Sequence, residues 1–278
     1  MDYPQVLVRV ARTEGSVPRG VDTFMRVSML ALEGTIGGGH LEFQAIARAR
    51  HWLASGGADE SVGHDLQRCP LGPSLGQCCG GVVWLSYVWL ASEANWQAWA
   101  ARLAPPRLPV AVFGGGHVGA AIIRALAPLP FAVHWIDSRE GFLSQPSAAL
   151  VEDCPVSAVT REEIEPVEDA VMHLPEDTQV LIMSFSHAED LQVVRACLAR
   201  NRIALGDGVA LPLPFIGLIG SKTKWARFRH RLAALGFDDQ ALGQVTCPIG
   251  LPDIEGKEPA VIAASVAAQL LIGRTRHW

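Results

Sequence analysis

The rhythm of apolar and polar positions changes several times along the chain. The stretches "QVLVRVA" and "FMRVSMLAL" predict β-strands, with "GTIGGG" as a turn after the second. From Leu41 the period lengthens: Leu41, Ala45, Ala49, Trp52 and Leu53 fall on one face of a helix over "LEFQAIARARHWLAS". The run "GGVVWLSYVWL", rich in aromatic and β-branched residues, predicts a buried strand.

Beyond "LAPPRLPV" (Leu103 to Val110) strand and helix alternate. The prolines of that stretch remove backbone donors and favour extended chain, so it marks a domain boundary, with domains at 1–104 and 105–278. After it, "PVAVFGG", "FAVHWID", "TQVLIMS" and "LPFIGLIG" predict strands. Between and after them, "HVGAAIIRALAPL", "AEDLQVVRACLAR" and "KTKWARFRHRLAAL" predict helices. This alternation implies a parallel sheet with helices on both faces. The expected fold is therefore α/β: an N-terminal mixed α/β domain followed by a Rossmann-like, doubly wound parallel-sheet domain. A last helix, "EPAVIAASVAAQLLIG", has Pro259 near its start and Gly273 expected past its end. Almost without charge, it asks to be covered by the other domain or a second subunit, which makes a homo-oligomer an open expectation.

Composition narrows the function classes. Over 278 residues, 49% are hydrophobic and 18% charged, which suits a well-buried globular protein. The formal charge of −5 and the lack of a basic block give no footprint for nucleic acid. The N-terminus has neither a basic region nor a long apolar one, and the apolar part of the longest charge-free run, Val82 to Ala91, is too short for a membrane helix. The expectation is a cytoplasmic protein with no membrane partner. Its six cysteines are then thiols rather than disulfides, and none forms a C-x-x-C pair for structural zinc. Cys69, Cys154 and Cys197 are read as structural.

The tetrad "GGGH" occurs twice. In the second copy, Gly114, Gly116 and Gly119 satisfy G-x-G-x-x-G between a strand and a helix, and Asp137 ends the next strand. Gly114 permits the tight turn, Gly116 lets the backbone approach a phosphate, and Gly119 lets helix pack on strand. Asp137 is placed to accept from a ribose hydroxyl, which keeps NAD(P) open as a ligand. The first copy, Gly37, Gly38 and Gly39, has Glu42 where the second has Gly119. It leaves backbone N–H groups unobstructed at a helix start; alternatively it is a permissive turn with Glu42 on the helix dipole. Ser186 and Glu189 form S-x-x-E, a capping box for the following helix. Ser221 and Lys222 open another helix, where cations oppose the dipole unless an anion arrives or they point into water.

Taken in order, "RTEGSVPR", "GTIGGGHLE", "LGPSLGQCCGG", "FGGGHVG", "IGLIGSKTK" and "CPIGLPDIEGKEPAVIAASVAAQLL" resemble the xanthine dehydrogenase accessory protein family (XdhC/CoxI) over nearly the whole chain. "MSFSHAED" departs from it, since relatives tend to carry a Thr-His-containing version there. The resemblance implies a non-catalytic chaperone. Such a protein binds the molybdenum cofactor (molybdopterin), holds it while a cysteine desulfurase replaces an oxo ligand by sulfur, and delivers it to apo-xanthine dehydrogenase. On that reading Gly37, Gly38, Gly39, Gln77, Cys78, Cys79, Gly114, Gly116, Gly119, Asp137, Ser221 and Lys222 are the candidate cofactor-binding residues. Cys78 and Cys79 are soft enough to contact molybdenum or sulfur, the alternative being plain packing. The rival function is an NAD(P)-dependent oxidoreductase, for which His187 is the one nominee as proton donor or acceptor.

Overall fold

A computed structural model describes residues 2–57, 66–71, 80–104, 106–144, 159–207 and 212–274. Gln77, Cys78, Cys79 and Cys154 lie outside the described residues. The chain divides into two compact units, Met1–Ala104 and Pro105–Trp278.

In the first unit an antiparallel sheet has the order β3-β2-β1-β5-β4. Its strands are β1 (Gln5–Glu14), β2 (Phe24–Val27), β3 (Leu32–Gly34), β4 (Gln67–Pro70) and β5 (Val82–Leu90). The stretch expected as a single strand, "FMRVSMLAL", is instead a hairpin. Ser28 N–H donates to Ala31 O, and Ala31 N–H donates to Ser28 Oγ, so the chain reverses over apolar residues with Leu30 fully exposed at the tip. Alternation along β1 sends Val6, Val8 and Val10 to one face and Leu7 to the other. Helix α1 (Gly39–Ala54) covers the first face with Leu41, Ala45, Ala49, Trp52 and Leu53, the stripe its sequence predicts. Helix α2 (Glu93–Leu103) covers the second with Leu103, Trp96 and Trp99. Ser92 caps α2, its hydroxyl accepting from Asn95 N–H.

The second unit is a parallel sheet of order β11-β10-β9-β6-β7-β8. The strands are β6 (Leu108–Phe113), β7 (Phe131–Asp137), β8 (Val159–Glu163), β9 (Gln179–Ile182), β10 (Phe215–Leu218) and β11 (Val245–Thr246). Starting in the middle, running to one edge, then crossing back to run to the other is the doubly wound Rossmann order. Strand β6 sends Val110 and Val112 to one face and Ala111 and Phe113 to the other. On the first face lie α3 (His117–Leu126) and the last helix, α7 (Pro259–Arg274). On the second lie a 3-10 turn (Val167–His173), α4 (His187–Asp207), α5 (Lys222–Ala234) and the short α6 (Asp239–Leu242).

Two expectations about α7 change. Ala263, Val266, Ala267 and Leu270 pack on β6, β7 and α3 of their own unit, so its apolar composition no longer calls for a second subunit. Gly273 lies inside the helix, which runs on to Arg274.

Candidate functional site

Each unit gathers its glycine-rich stretches at one place. In the first unit the loop after β1 meets the start of β5. A Cβ on Gly81 would fall 2.4 Å from Ser16 O and 2.6 Å from Glu14 O, and one on Gly15 would fall 3.2 Å from Gly81 Cα. Pro18 closes over the first glycine turn, where a Cβ on Gly37 would lie 2.9 Å from its ring. Thus "RTEGSVPR", "GTIGGGHLE" and the end of "LGPSLGQCCGG" converge, as their shared composition suggests.

The first turn is already filled by the chain. Gly37, Gly38 and Gly39 all have positive φ, 125°, 75° and 65°, which curls the backbone into a nest of N–H groups. Glu42 Oε2 sits in that nest, accepting from Ile36 N–H at 3.0 Å, from Gly38 N–H at 3.1 Å and from the Thr35 hydroxyl. Gly37 N–H donates to Thr35 Oγ1 at 3.1 Å. Burial pushes the Glu42 carboxyl up, but the hydrogen bonds of Thr35, Ile36, Gly38 and Gly37 outweigh it and hold the group below its usual range. Of the two readings of this turn, the geometry is that of an internal carboxylate on a helix start.

The second turn lies where β6 and β9 part, the point at which doubly wound sheets open a crevice. Its three glycines do separate work. Gly114 has φ 121°, and a Cβ there would lie 2.2 Å from Met183 O, just past the end of β9. A Cβ on Gly119 would lie 2.2 Å from Gly114 O, so its absence lets α3 sit directly on the turn. Gly116 has φ −68°, and a Cβ there would meet nothing within 4 Å. Two glycines therefore serve packing, and Gly116 faces open space at the start of α3.

Asp137 ends β7 beside this turn and is 2% exposed. Its Oδ1 accepts from Arg139 N–H at 3.0 Å and Arg139 Nε at 2.8 Å. Its Oδ2 accepts from Gly115 N–H at 2.6 Å and Arg139 Nη2 at 2.8 Å. Burial pushes the carboxyl up; the Arg139 guanidinium and the two backbone donors more than offset this and hold it below the usual range. The guanidinium also lies 3.4 Å from the ring centre of Phe142 and 5.0 Å from that of Phe185, which is 62% exposed.

Further along the same edge, Asp190 is 1% exposed on α4. It accepts from Ser184 N–H at 2.9 Å, Ser184 Oγ at 2.8 Å and Lys224 Nζ at 2.5 Å. Lys224 also donates to Ile219 O at 2.9 Å. The capping box expected from Ser186 and Glu189 does not close. Ser186 N–H donates to Ser184 Oγ, and Glu189 instead accepts from Ser138 Oγ at 2.7 Å. The Ser186 hydroxyl still caps α4 by accepting from Ala188 N–H. Ser221 caps α5, its hydroxyl accepting from Lys224 N–H at 3.1 Å, while Lys222 is exposed. A cavity of about 280 Å³ beside them is lined by His187, Ser221, Thr223, Lys224, Arg227 and Arg231. Sequence reasoning missed Arg139, Phe142, Asp190 and the inward role of Lys224. The spacing Asp137-x-Arg139 was the available signal.

Among the described residues Cys69, Cys197 and Cys247 are free thiols, the first two buried. Burial raises the Cys197 thiol to about 12, which leaves it inert. No group of three or more His, Cys, Asp or Glu among the described residues is placed to hold a metal ion. Nor is any described helix long and apolar enough to cross a membrane.

Two family models match the chain: XdhC Rossmann domain over residues 110–270, and XdhC and CoxI family over residues 2–63. An Escherichia coli K12 relative, described as uncharacterized protein YqeB, is 24% identical over 275 residues. That match covers 96% of this chain, which spans 43% of the relative's length. A solved structure described as a xanthine dehydrogenase from Bacillus halodurans superposes over 100% of this chain and 93% of its own, with a TM-score of 0.68 at 17% identity. At that identity the likeness speaks for the fold alone.

Proposed function

The chain belongs to the XdhC and CoxI family, and from that premise we propose that it is a non-catalytic carrier of the molybdenum cofactor. It holds molybdopterin while a cysteine desulfurase exchanges a molybdenum oxo ligand for sulfur, then passes the cofactor to apo-xanthine dehydrogenase. The observation that carries the reading furthest is the second glycine turn. Gly116 leaves open space where a Cβ would otherwise stand, at the start of a ten-residue helix with unpaired N–H groups. A phosphate such as the one on molybdopterin fits that position.

Gly114 and Gly119 shape the turn and Gly116 faces the cargo. Ser221 and Lys222 begin α5 at the same edge of the sheet, where Arg227 and Arg231 add positive charge. Cys78 and Cys79 supply soft ligands to the molybdenum or the transferred sulfur. Gly37, Gly38 and Gly39 shape the loop cluster of the first unit around Glu42. The carboxylates at the crevice, Asp137 and Asp190, are each neutralised by a cation of the chain, which suits a carrier better than an oxidoreductase needing a free acid or base.

The test is transfer. Protein purified from cells supplied with molybdenum is mixed with apo-xanthine dehydrogenase, and activity is followed for the parent, Cys78→Ser and Cys79→Ser. The parent should activate the enzyme, and at least one variant should lose activation while staying folded. No activation by the parent would contradict the carrier role; equal activation by both variants and their double would reduce the cysteines to packing.

A further inference from the structure

We infer that the crevice above the second glycine turn is closed to dinucleotides by the chain's own side chains, with Arg139 standing where a ribose would be recognised. The inference goes beyond the carrier reading and stands without it. In a doubly wound dinucleotide site, the acid at the end of the second strand accepts hydrogen bonds from ribose hydroxyls. Asp137 occupies that place, so the fold itself raises the question of NAD(P).

The geometry answers it through acceptor capacity. A carboxylate offers about four lone-pair positions. On Asp137 four donors fill them: Gly115 N–H, Arg139 N–H, and the Nε and Nη2 of the Arg139 guanidinium. The guanidinium grips both oxygens, the geometry in which an Arg–carboxylate pair is strongest. It also packs over two aromatic rings, 3.4 Å from the centre of Phe142 and 5.0 Å from that of Phe185.

Phe142 closes the approach a second way. A Cβ on Gly115 would lie 2.6 Å from its ring, so the ring already covers the turn at the point nearest Asp137. A ribose at Asp137 has to displace Arg139 from both oxygens and move past Phe142, and removing either side chain lowers that cost. Without Arg139 the oxygens are vacant; without Phe142 the turn is uncovered and the guanidinium loses the ring it packs on. Gly116 is not covered, so a phosphate can still reach the turn. The crevice has kept its phosphate half and filled its ribose half.

The test looks for gained binding. Titration calorimetry with NAD⁺ and NADP⁺ is run on the full chain, on Arg139→Ala and on Phe142→Ala. The parent should bind NAD⁺ more weakly than about 1 mM, and each variant should gain about tenfold or more. Freed Asp137 repels a 2′-phosphate, so in Arg139→Ala the gain should favour NAD⁺ over NADP⁺. Each variant must show a cooperative melt. Phe142→Ala leaves the ion pair intact and carries the test if Arg139→Ala does not fold. Saturable binding of NAD⁺ or NADP⁺ by the parent at micromolar concentration would overturn the inference, the second because an arginine beside the ribose acid can take a 2′-phosphate. So would a folded Phe142→Ala or Arg139→Ala that binds NAD⁺ no better than the parent.

Discussion

Gly114→Ala should lower the melting temperature of the Rossmann unit by about 10 °C, whereas Gly116→Ala, two residues on, should leave it within about 2 °C of the parent. The difference lies in what each new methyl would meet. At Gly114 the backbone has φ 121°, and the methyl would stand 2.2 Å from Met183 O, a backbone atom just past the end of β9. Neither partner can rotate away. Left-handed strain of about 1–2 kcal/mol and overpacking of about 1–3 kcal/mol together give roughly 2–5 kcal/mol. Gly119→Ala meets Gly114 O at the same 2.2 Å and should carry the overpacking cost of about 1–3 kcal/mol without the backbone strain. At Gly116, φ is −68° and the space is open. Thermal unfolding followed by circular dichroism separates the two, and equal losses at Gly114 and Gly116 would contradict the division of labour.

Lys224→Met should cost about 3–5 kcal/mol, read from urea unfolding, because it leaves a buried carboxylate without its cation. Asp190 is 1% exposed and would keep, among the described residues, the two donors of Ser184. Asp190→Leu strands Lys224 in the same way, leaving it Ile219 O as an acceptor among the described residues. Removing both charges together should recover most of the loss, since desolvating an ion pair offsets much of its attraction. A double variant as unstable as the sum of the singles would show that the two groups do not act as a pair.

Legibility followed the periodicity of each element. The α1 stripe of Leu41, Ala45, Ala49, Trp52 and Leu53 has a clean helical period, and those residues are buried. The inner strands of the second unit, β6, β7, β9 and β10, are largely apolar runs bounded by loops, as strands buried on both faces must be. The β2–β3 hairpin was hidden because its turn carries Met29 and Leu30, which read as more strand. Helix α2 was passed over although Ser92 caps it and Trp96, Trp99 and Leu103 share a face. Strands β4, β8 and β11 are short edge or near-edge pieces with little apolar signal.

The site divides along a different line. The G-x-G-x-x-G spacing and its place between strand and helix were written in the chain. Which N–H groups face outward was not, because that depends on which side chains fold back onto them. Glu42 on the first turn and Arg139 on Asp137 are contacts across a loop, with no period to announce them. The same holds for Asp190 and Lys224, 34 residues apart.

The most direct measurement of the carrier role is the ligand itself. Protein purified without oxygen from molybdenum-supplied cells is denatured and oxidised, and the released pterin is quantified by fluorescence beside any nicotinamide nucleotide. The parent should release molybdopterin-derived pterin and no stoichiometric nicotinamide. Gly116→Val, folded to the same melting temperature, should lose most of that pterin because a branched side chain fills the open position. A parent that carries nicotinamide and no pterin would contradict the account.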